Sequence, residues 1–362
     1  MKRLMFWVLP AVLLLSGCWD ELVFRDIQVV TMAGIDGNQD EVTVYYGFPE
    51  LLDSQPVPQS LESKGRTYSE ARNMANERSD EVLDLSYLQV FLISEEAAKH
   101  RIYDFMDSFF RVPRNRVTGH MAIAQGDMKQ YFDNPGSSGA PKNESETFGK
   151  KIDTFHKYSL STMYDLQQVC TILFDDGMDL SLPVLKIEEQ TGEPELAGTG
   201  LFSGMEYTGK VLSLDEGRLL AMLKKETGTI LRLNYDVEVE GEKTPIQIEI
   251  ISNKQKIKIK GEHVDIEMRI KAEVEEFAHG AVYKNQKQMD RLGKELGKLV
   301  EEDVNKLIGK LQEAESDAIG IGRRVRAFHH DLWEKAKWSE TYPSLEIDAS
   351  VELKIERTGI LE

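Results

Sequence analysis

The chain has 362 residues, of which 41% are hydrophobic and 29% are charged, and its formal net charge is −18. This length is enough for two or three globular domains. The acidic balance excludes a nucleic-acid partner, because phosphates attract positively charged surfaces, and it also excludes adhesion to anionic lipid by charge alone.

The first 17 residues have the pattern of an export signal. Lys2 and Arg3 give a short positive segment, and an apolar run from Leu4 to Leu15 follows it. This run is too short to span a membrane, which takes about 20 apolar residues. Pro10 also disfavours a stable spanning helix. We therefore predict that residues 1–17 are a signal peptide.

A lipidation motif closes the apolar run. Leu15-Ser16-Gly17-Cys18 has the spacing of the bacterial lipobox, in which small residues let the chain lie extended in the peptidase cleft. An uncleaved anchor or a plain secretory signal would leave Cys18 unexplained. We predict that Cys18 receives a diacylglyceryl group and becomes the first residue of the mature chain. Two acyl chains give stable anchoring where one holds only weakly.

Residues 18–135 are predicted to form an N-terminal α/β domain. It begins with the pattern of a β-hairpin, whose turn is Asp36-Gly37-Asn38. The following segment, 49–65, is rich in serine, proline and glutamine and predicts a loop. The other predicted elements are helices from Ser69 to Ser79 and from Ser94 to Phe110, strands at 85–93 and 121–124, and a short helix capped by Asp127.

A middle α/β domain is predicted over residues 136–230. It follows a cluster of Pro, Gly, Ser and Ala from Asn134 to Pro141, the strongest break in the chain. The predicted elements after this linker are a helical segment at 155–174, short strands near Leu185 and Leu201, and a helix at 215–225.

Residues 231–362 are predicted to form a C-terminal antiparallel sheet covered by a long helix. Apolar residues alternate over 237–239, 246–250, 257–259 and 264–270, with Gly or Asn turns between the runs. A helical stripe of leucines runs from Met289 to Leu311, and a last alternating strand follows Leu345. The predicted fold class is therefore α+β and multi-domain, with three mixed α/β domains.

The sequence predicts no catalytic, cofactor-binding or metal site. Gly320-Ile321-Gly322 lacks the preceding strand and the third glycine of a nucleotide-binding loop, so we interpret it as a helix stop. His329 and His330 are adjacent and would point about 100° apart on a helix, which makes a poor metal pair. Two carboxylates sharing a pocket with shifted pKa values could still be hidden in the acidic background.

Two small groups of residues leave alternatives open. Arg111, Arg114 and Arg116 form either a solvated loop or a contact for an anion or a partner. Trp333 and Trp338 are either core anchors or, if they are exposed together, part of a partner surface.

Only two cysteines occur in the chain. Once Cys18 is lipidated, Cys170 has no partner for an intrachain disulfide. Its apolar neighbours Val169, Ile172 and Leu173 predict a buried structural thiol.

The motif Cys18-Trp19-Asp20 resembles the start of the Ger(x)C family, the lipoprotein C subunits of bacterial spore germinant receptors. The resemblance extends in order over nearly the whole mature chain, although Leu88-Gln89 replaces a histidine often found there and the match over 202–210 is loose. The similar stretches are Val30–Pro49, Val90–Lys99 with Phe110-Arg111, Gly198–Phe202, and Leu311-Gln312 with Asp317, Gly320, Gly322, Trp333 and Trp338.

The resemblance implies a fold of three mixed α/β domains and a role without catalysis. It implies two integral membrane partners, the A and B subunits, and a position on the outer face of the spore inner membrane. Such an assembly responds to nutrients and triggers germination. The alternative is a solute-binding lipoprotein of a transporter, but its two lobes of parallel strands and helices do not fit the predicted antiparallel sheet.

Overall fold

The computed structural model describes residues 24–52, 55–133, 144–239, 242–277 and 286–357. The predicted signal peptide, Cys18 and the predicted linker at 134–141 lie outside these residues. Within the described part, no helix combines the length and the apolar character needed to cross a bilayer.

The described residues alternate between strands and helices along most of the chain. The strands are β1 (Ile27–Val29), β2 (Met32–Gly37), β3 (Val42–Leu52), β4 (Gln55–Gly65), β5 (Val82–Asp84), β6 (Val90–Ser94), β7 (His120–Ala124), β8 (Ser181–Ile187), β9 (Pro194–Ser203), β10 (Glu206–Leu212), β11 (Arg232–Val239), β12 (Glu242–Lys260), β13 (His263–Phe277) and β14 (Glu346–Arg357). The helices are α1 (Tyr68–Arg78), α2 (Glu95–Lys99), α3 (Ile102–Phe110), α4 (Gln130–Asp133), α5 (Glu144–Lys157), α6 (Leu166–Leu173), α7 (Leu214–Lys224), α8 (Gln286–Glu313), α9 (Ile321–Phe328), α10 (His330–Trp333) and α11 (Trp338–Thr341).

One eight-stranded mixed sheet, in the order β10-β9-β8-β7-β6-β2-β3-β4, contains most of the N-terminal and middle strands. Its central pairs β2–β6, β6–β7 and β7–β8 are parallel, whereas both ends are antiparallel. All five residues of β6 are buried, because Phe91 and Ile93 face one core and Val90 and Leu92 face another. The continuous apolar run at 90–93 is typical of a strand covered on both faces.

The predicted loop at 49–65 is wrong. β3 and β4 form a long antiparallel hairpin that pairs from Val42 opposite Gly65 to Leu52 opposite Gln55. The prolines that suggested a loop lie toward the tip of this hairpin, and β4 is the edge strand of the sheet, where proline is tolerated. Pairing with β3 therefore outweighs the composition of this segment.

The eight-stranded sheet crosses the predicted boundary between residues 135 and 136. β7 and β8 are adjacent in it, with Ile123 opposite Val184 and Ala124 opposite Leu185. The first and second predicted domains therefore contribute neighbouring strands to one sheet. Their division into separate folding units stays a prediction.

The C-terminal sheet confirms the predicted α+β class. β11, β12 and β13 are consecutive antiparallel strands. The turn expected near Asn253 is wrong, because 246–250 and 257–259 belong to one strand with a register shift between Ile250 and Ser252. β14 lies parallel to β13, since α8 carries the chain back across the sheet before β14 begins.

Helix α8 covers this sheet as predicted. Its buried stripe includes Leu292, Leu296, Val300, Val304 and Leu311. Gly293 and Gly297 let the helix lie directly on β14, and a Cβ at Gly293 would be 2.7 Å from the backbone oxygen of Leu353. The 3.6-residue spacing of the leucines in the sequence is thus the face that packs on the sheet.

Polar side chains of α8 satisfy the free edge of β14. Asn305 donates to the backbone oxygen of Ala349 (2.9 Å) and accepts from its N–H (2.8 Å). Glu301 accepts from the N–H of Val351 at 2.8 Å. Exposed strand edges are templates for aggregation, and here a helix closes the edge.

Candidate functional site

The eight-stranded sheet and the four-stranded C-terminal sheet meet at three carboxylates, which we call the aspartate joint and define as Asp175, Asp179 and Asp317; Asp317 is buried and the other two are partly buried. Asp175 and Asp179 lie in the loop before β8 of the large sheet, and Asp317 lies between α8 and α9. Asp179 and Asp317 are linked twice. The N–H of Asp179 donates to the backbone oxygen of Asp317 (3.0 Å), and the N–H of Asp317 donates to Oδ2 of Asp179 (2.6 Å). The other carboxylate oxygen of Asp179 accepts from Gly204 at 2.8 Å.

Asp317 organises the start of α9. It is 1% exposed, and each of its carboxylate oxygens accepts two hydrogen bonds. Oδ1 accepts from the N–H groups of Gly320 and Ile321, both at 2.9 Å. Oδ2 accepts from the N–H of Gly322 at 2.7 Å and from the indole Nε1–H of Trp338 at 2.9 Å. Asp317 thus satisfies donors that a helix start otherwise leaves unpaired.

Glycines permit the close approach of the two loops. Gly320 has φ +80°, a left-handed conformation that other residues adopt only with strain. A Cβ on Gly322 would lie 2.5 Å from Nε1 of Trp338 and 2.8 Å from Cα of Gly177. The helix stop predicted at 320–322 is wrong, because α8 ends at Glu313 and these glycines begin α9.

Lys224, at the end of α7, is a buried cation that contacts the segment after Asp317. Its side chain is 1% exposed, and its Nζ donates to the backbone oxygen of Ala318. Nζ also lies 3.8 Å from the carboxylate of Glu226 and 5.6 Å from the ring centroid of Tyr164. The Tyr164 hydroxyl donates to that same carboxylate, so a polar chain links α7 to the joint.

Burial dominates the electrostatics of the joint. It raises the pKa of Asp317 to about 7, although the hydrogen bonds from Gly322, Ile321 and Trp338 oppose this rise. Burial also raises the pKa of Asp179. It lowers the pKa of Lys224 to about 8, against the attraction of Glu226 and Asp317. Two carboxylates with raised pKa values therefore lie beside a lysine with a lowered one.

The rim of the joint is ionic. Asp175 pairs with Arg323 at 2.6 Å and with Arg326 at 3.0 Å. Burial would raise the pKa of Asp175, but the N–H of Gly177 and the two arginines outweigh it and lower the pKa. Arg326 also lies 5.6 Å from the ring of Trp333, which stacks on Trp338 at 5.7 Å between centroids.

The aspartate joint has the acid–base groups of a catalytic pair but not the access that catalysis needs. Asp317 is almost fully buried, and both its oxygens and both oxygens of Asp179 accept internal hydrogen bonds. A catalytic acid or base has to reach the proton that it transfers. The arrangement can instead hold two structural units in a fixed relation, because breaking it would leave buried polar groups unpaired.

The structure decides between the two interpretations of the residues that the sequence left open. Arg111 pairs with Asp107, Arg114 pairs with Asp84, and Arg116 donates to Thr118, so intramolecular contacts account for all three arginines. Trp338 is buried and Trp333 is half-buried against it, which favours core anchors.

The prediction of a buried thiol at Cys170 is wrong. The residue is only partly buried on α6, whose buried face consists of Leu166, Val169, Ile172 and Leu173. Burial nevertheless raises the pKa of the Cys170 thiol, which keeps it in the unreactive protonated form.

Sequence reasoning identified Asp317, Gly320, Gly322 and Trp338 as parts of a family-like pattern but missed their partner Asp179. These two aspartates are 138 residues apart in the chain, and nothing local to Asp179 marks it. The one sequence signal that could have suggested Asp179 is that it lies close to Asp175 and Gly177 in one short loop.

Two family models together match almost all of the chain. The family described as "Spore germination protein N-terminal domain" matches residues 20–187, and "Spore germination B3/ GerAC like, C-terminal" matches residues 197–359. The chain belongs to the Ger(x)C family of spore germination proteins.

Similar proteins support this assignment along the full length of the Ger(x)C chain. It is 23% identical to "Spore germination protein GerQC" of Bacillus cereus, over 100% of both chains. It is 22% identical to "Spore germination protein KC" of Bacillus subtilis (strain 168), over 98% of this chain and 95% of that protein. The structure titled "Crystal Structure of the GerBC protein" covers 90% of this chain and 96% of its own, with a TM-score of 0.53 and 20% identity, and shows the same fold.

Proposed function

We propose that this protein is the non-catalytic, lipid-anchored C subunit of a nutrient germinant receptor. In this proposal Cys18 carries the lipid on the outer face of the spore inner membrane, and the folded part docks on the integral membrane A and B subunits. The observation that carries the proposal is the family match over residues 20–187 and 197–359.

The lipid tether rests on the sequence before residue 20. The lipobox ends at Cys18, and the first described residue is Phe24, six residues later. An extended chain of six residues spans about 20 Å. A lipid on Cys18 would therefore hold β1 and its partner β5 close to the bilayer surface.

The aspartate joint supports the non-catalytic part of this proposal. Among the described residues, Asp179 and Asp317 are the two carboxylates whose pKa values are raised. Hydrogen bonds from within the protein occupy the oxygens of both. The alternative of a solute-binding transporter lipoprotein gains no support, because the eight-stranded sheet is continuous across residues 135 and 136 instead of being divided into two lobes around a cleft.

Fractionation of spores that carry wild type, Cys18→Ala or Cys170→Ala tests the proposal when it is combined with nutrient-triggered germination. We expect Cys18→Ala to lose the lipid, to leave the membrane fraction and to germinate poorly. Cys170→Ala is the matched control, because it removes the other cysteine, and we expect it to behave as wild type.

Deletion of the gene separates the receptor role from the tether. We expect the deletion strain to lose the response to the nutrient that its receptor serves, while germination by a trigger that bypasses receptors stays normal. Normal nutrient germination in a strain without other receptors would overturn the receptor role. A wild-type Cys18 that mass spectrometry finds without lipid would overturn the tether alone.

A further inference from the structure

Three carboxylates surround one imidazole at the start of the last two strands of the C-terminal sheet. β13 and β14 are parallel, and their register places His263 opposite Glu346 and Asp265 opposite Asp348. Side chains at positions i and i+2 of a strand lie on one face. The intervening residues Val264 and Ile347 are buried in the core, so these four polar side chains lie together on the opposite, solvent face.

The distances within this group fit a single cation. Nε2 of His263 lies 2.9 Å from Oδ1 of Asp265, and Nδ1 lies 3.3 Å from Oε2 of Glu346. Ligand atoms of His263, Glu346 and Asp348 all lie within 4.8 Å of one another. Two ligands bound to one metal at about 2.0–2.4 Å cannot be more than about 4–5 Å apart, so the three atoms already satisfy this limit.

The charges of the group are unbalanced. Asp265, Glu346 and Asp348 share one imidazole, and in the described part of the chain Asp348 makes no ion pair. Among the nearby lysines, Lys258 pairs with Glu267 and Lys335 pairs with Glu262, while Lys260 lies opposite His263 in the register of β12 with β13. Carboxylates held together on a rigid sheet repel one another, and a divalent cation would relieve this repulsion.

We propose that His263, Glu346 and Asp348 bind a divalent transition-metal cation, with Asp265 as a fourth ligand or as the hydrogen-bond partner that orients the imidazole. An imidazole nitrogen with carboxylate oxygens suits Zn²⁺ or Mn²⁺ better than Ca²⁺ or Mg²⁺, which take oxygen ligands. Because Glu346 and Asp348 are exposed, water can complete the coordination.

Such a metal would join the starts of two strands that are far apart in the sequence. The chain between β13 and β14 contains α8 and the short helices that follow it, so the parallel pair forms only after a long connection. A bound cation would stabilise this pairing, because it binds the folded state and not the separated strands. The histidine and the acidic residues lie about 80 residues apart, which hid them from sequence reasoning.

Titration calorimetry of the full-length, tag-free chain with Zn²⁺, after treatment with a chelator, tests the site. We expect one strong site per chain, and at least tenfold weaker binding in both His263→Gln and Asp348→Asn. Ca²⁺ should bind much more weakly. Zn²⁺ should also raise the melting temperature of wild type by a few degrees but not that of His263→Gln, and chelator should reverse the rise.

Two matched controls make the result decisive. Glu352→Gln removes an exposed carboxylate from the same strand, where it pairs with Arg269. His330→Gln removes an exposed histidine that pairs with Glu334. We expect both variants to bind Zn²⁺ as wild type does. The proposal is overturned if wild type shows no one-site binding, or if the controls weaken binding as much as His263→Gln does.

Discussion

Asp317 shows how a single residue connects the parts of this protein. One carboxylate accepts three backbone N–H groups and one indole N–H, in surroundings almost free of solvent. Its backbone also bonds twice with Asp179, which belongs to the other sheet. A buried polar group of this kind stabilises the fold only when all its partners are present.

At the residue scale, Asp317→Asn should destabilise the fold. An amide presents N–H donors on one side, so whichever way it is turned, two donors of the site lose their acceptor. Unsatisfied buried donors cost about 1–3 kcal/mol each, which gives a loss of about 2–6 kcal/mol for two donors. Urea unfolding would measure it, with the exposed Asp176→Asn as the control from the same loop as Asp175.

The pH dependence of that loss has a definite sign. The pKa of Asp317 is raised from 3.8 to about 7 in the folded state, so the folded protein holds a proton that the unfolded chain releases above about pH 4. The stabilisation that comes from this proton on Asp317 is fully present below about pH 4 and is lost as the pH rises to about 7. The stability difference between wild type and Asp317→Asn should therefore narrow over this interval. A difference that widens would contradict the raised pKa.

At the element scale, different faces of α8 have different structural roles. Its leucines and valines cover the sheet, and its flanking Asn305 and Glu301 close the edge of β14. Gly293 and Gly297 set the distance between helix and strand, because a side chain there would meet the backbone or side chain of Leu353. The same helix thus covers the apolar face of the sheet, binds the free edge of β14 and forms the crossover that makes β14 parallel to β13.

Replacing Asn305 with alanine tests the edge cap. The change removes both hydrogen bonds to Ala349, and each is worth about 0.5–1.5 kcal/mol net. We expect a loss of about 1–3 kcal/mol in the free energy of unfolding, together with faster amide exchange at Ala349. Lys306→Ala is the control on the same helix, since among the described residues the ion pair of Lys306 is with Asp303 on the same helix, and it should change stability by less than about 0.5 kcal/mol. Equal effects of the two changes would contradict the role of Asn305.

At the scale of the whole molecule, the aspartate joint makes the two sheets one mechanical unit. Residues of the loop at 175–179 bond to the segment at 317–326 through backbone and side chains, and Lys224 adds a third contact from α7. The joint adds saturated polar groups to an apolar core that both sheets share, in which Leu201 and Leu212 of the large sheet belong to the same buried cluster as Leu233 and Ile248 of the C-terminal sheet.

Gly322→Ala should uncouple the two sheets. The added methyl group would meet Trp338 at 2.5 Å and Gly177 at 2.8 Å, so the loops have to separate. We expect calorimetry to show a first unfolding transition at a lower temperature than in wild type. Amide hydrogen exchange should become faster in both loops, while the amides of the two sheets stay protected. Gly309→Ala is the control, because nothing lies within 4 Å of its added Cβ on α8, and it should be neutral or stabilising by about 0.5–1 kcal/mol. A single unshifted transition in Gly322→Ala would contradict the coupling.

Part of this architecture was predictable because local sequence patterns specify it. The leucine spacing of α8 and the alternation along β11 to β14 predicted the C-terminal layer, and the strand predicted at 85–93 includes most of β6, although 85–89 lie outside any strand. The failures have a common cause. Composition suggested a loop at 49–65 and a turn at Asn253, but pairing with a neighbouring strand outweighed the local preference in both places.

The sequence by itself determined the family, the predicted export and lipidation at Cys18, and the helix and strand periods of the C-terminal layer, because these depend on residues close together in the chain. Only the tertiary structure decided the pairing of Asp317 with Asp179, the continuity of the large sheet and the meeting of His263 with Glu346 and Asp348. Each of these joins residues that are about 60 to 140 positions apart. Contacts at such distances are set by how the layers pack, and no local preference encodes them.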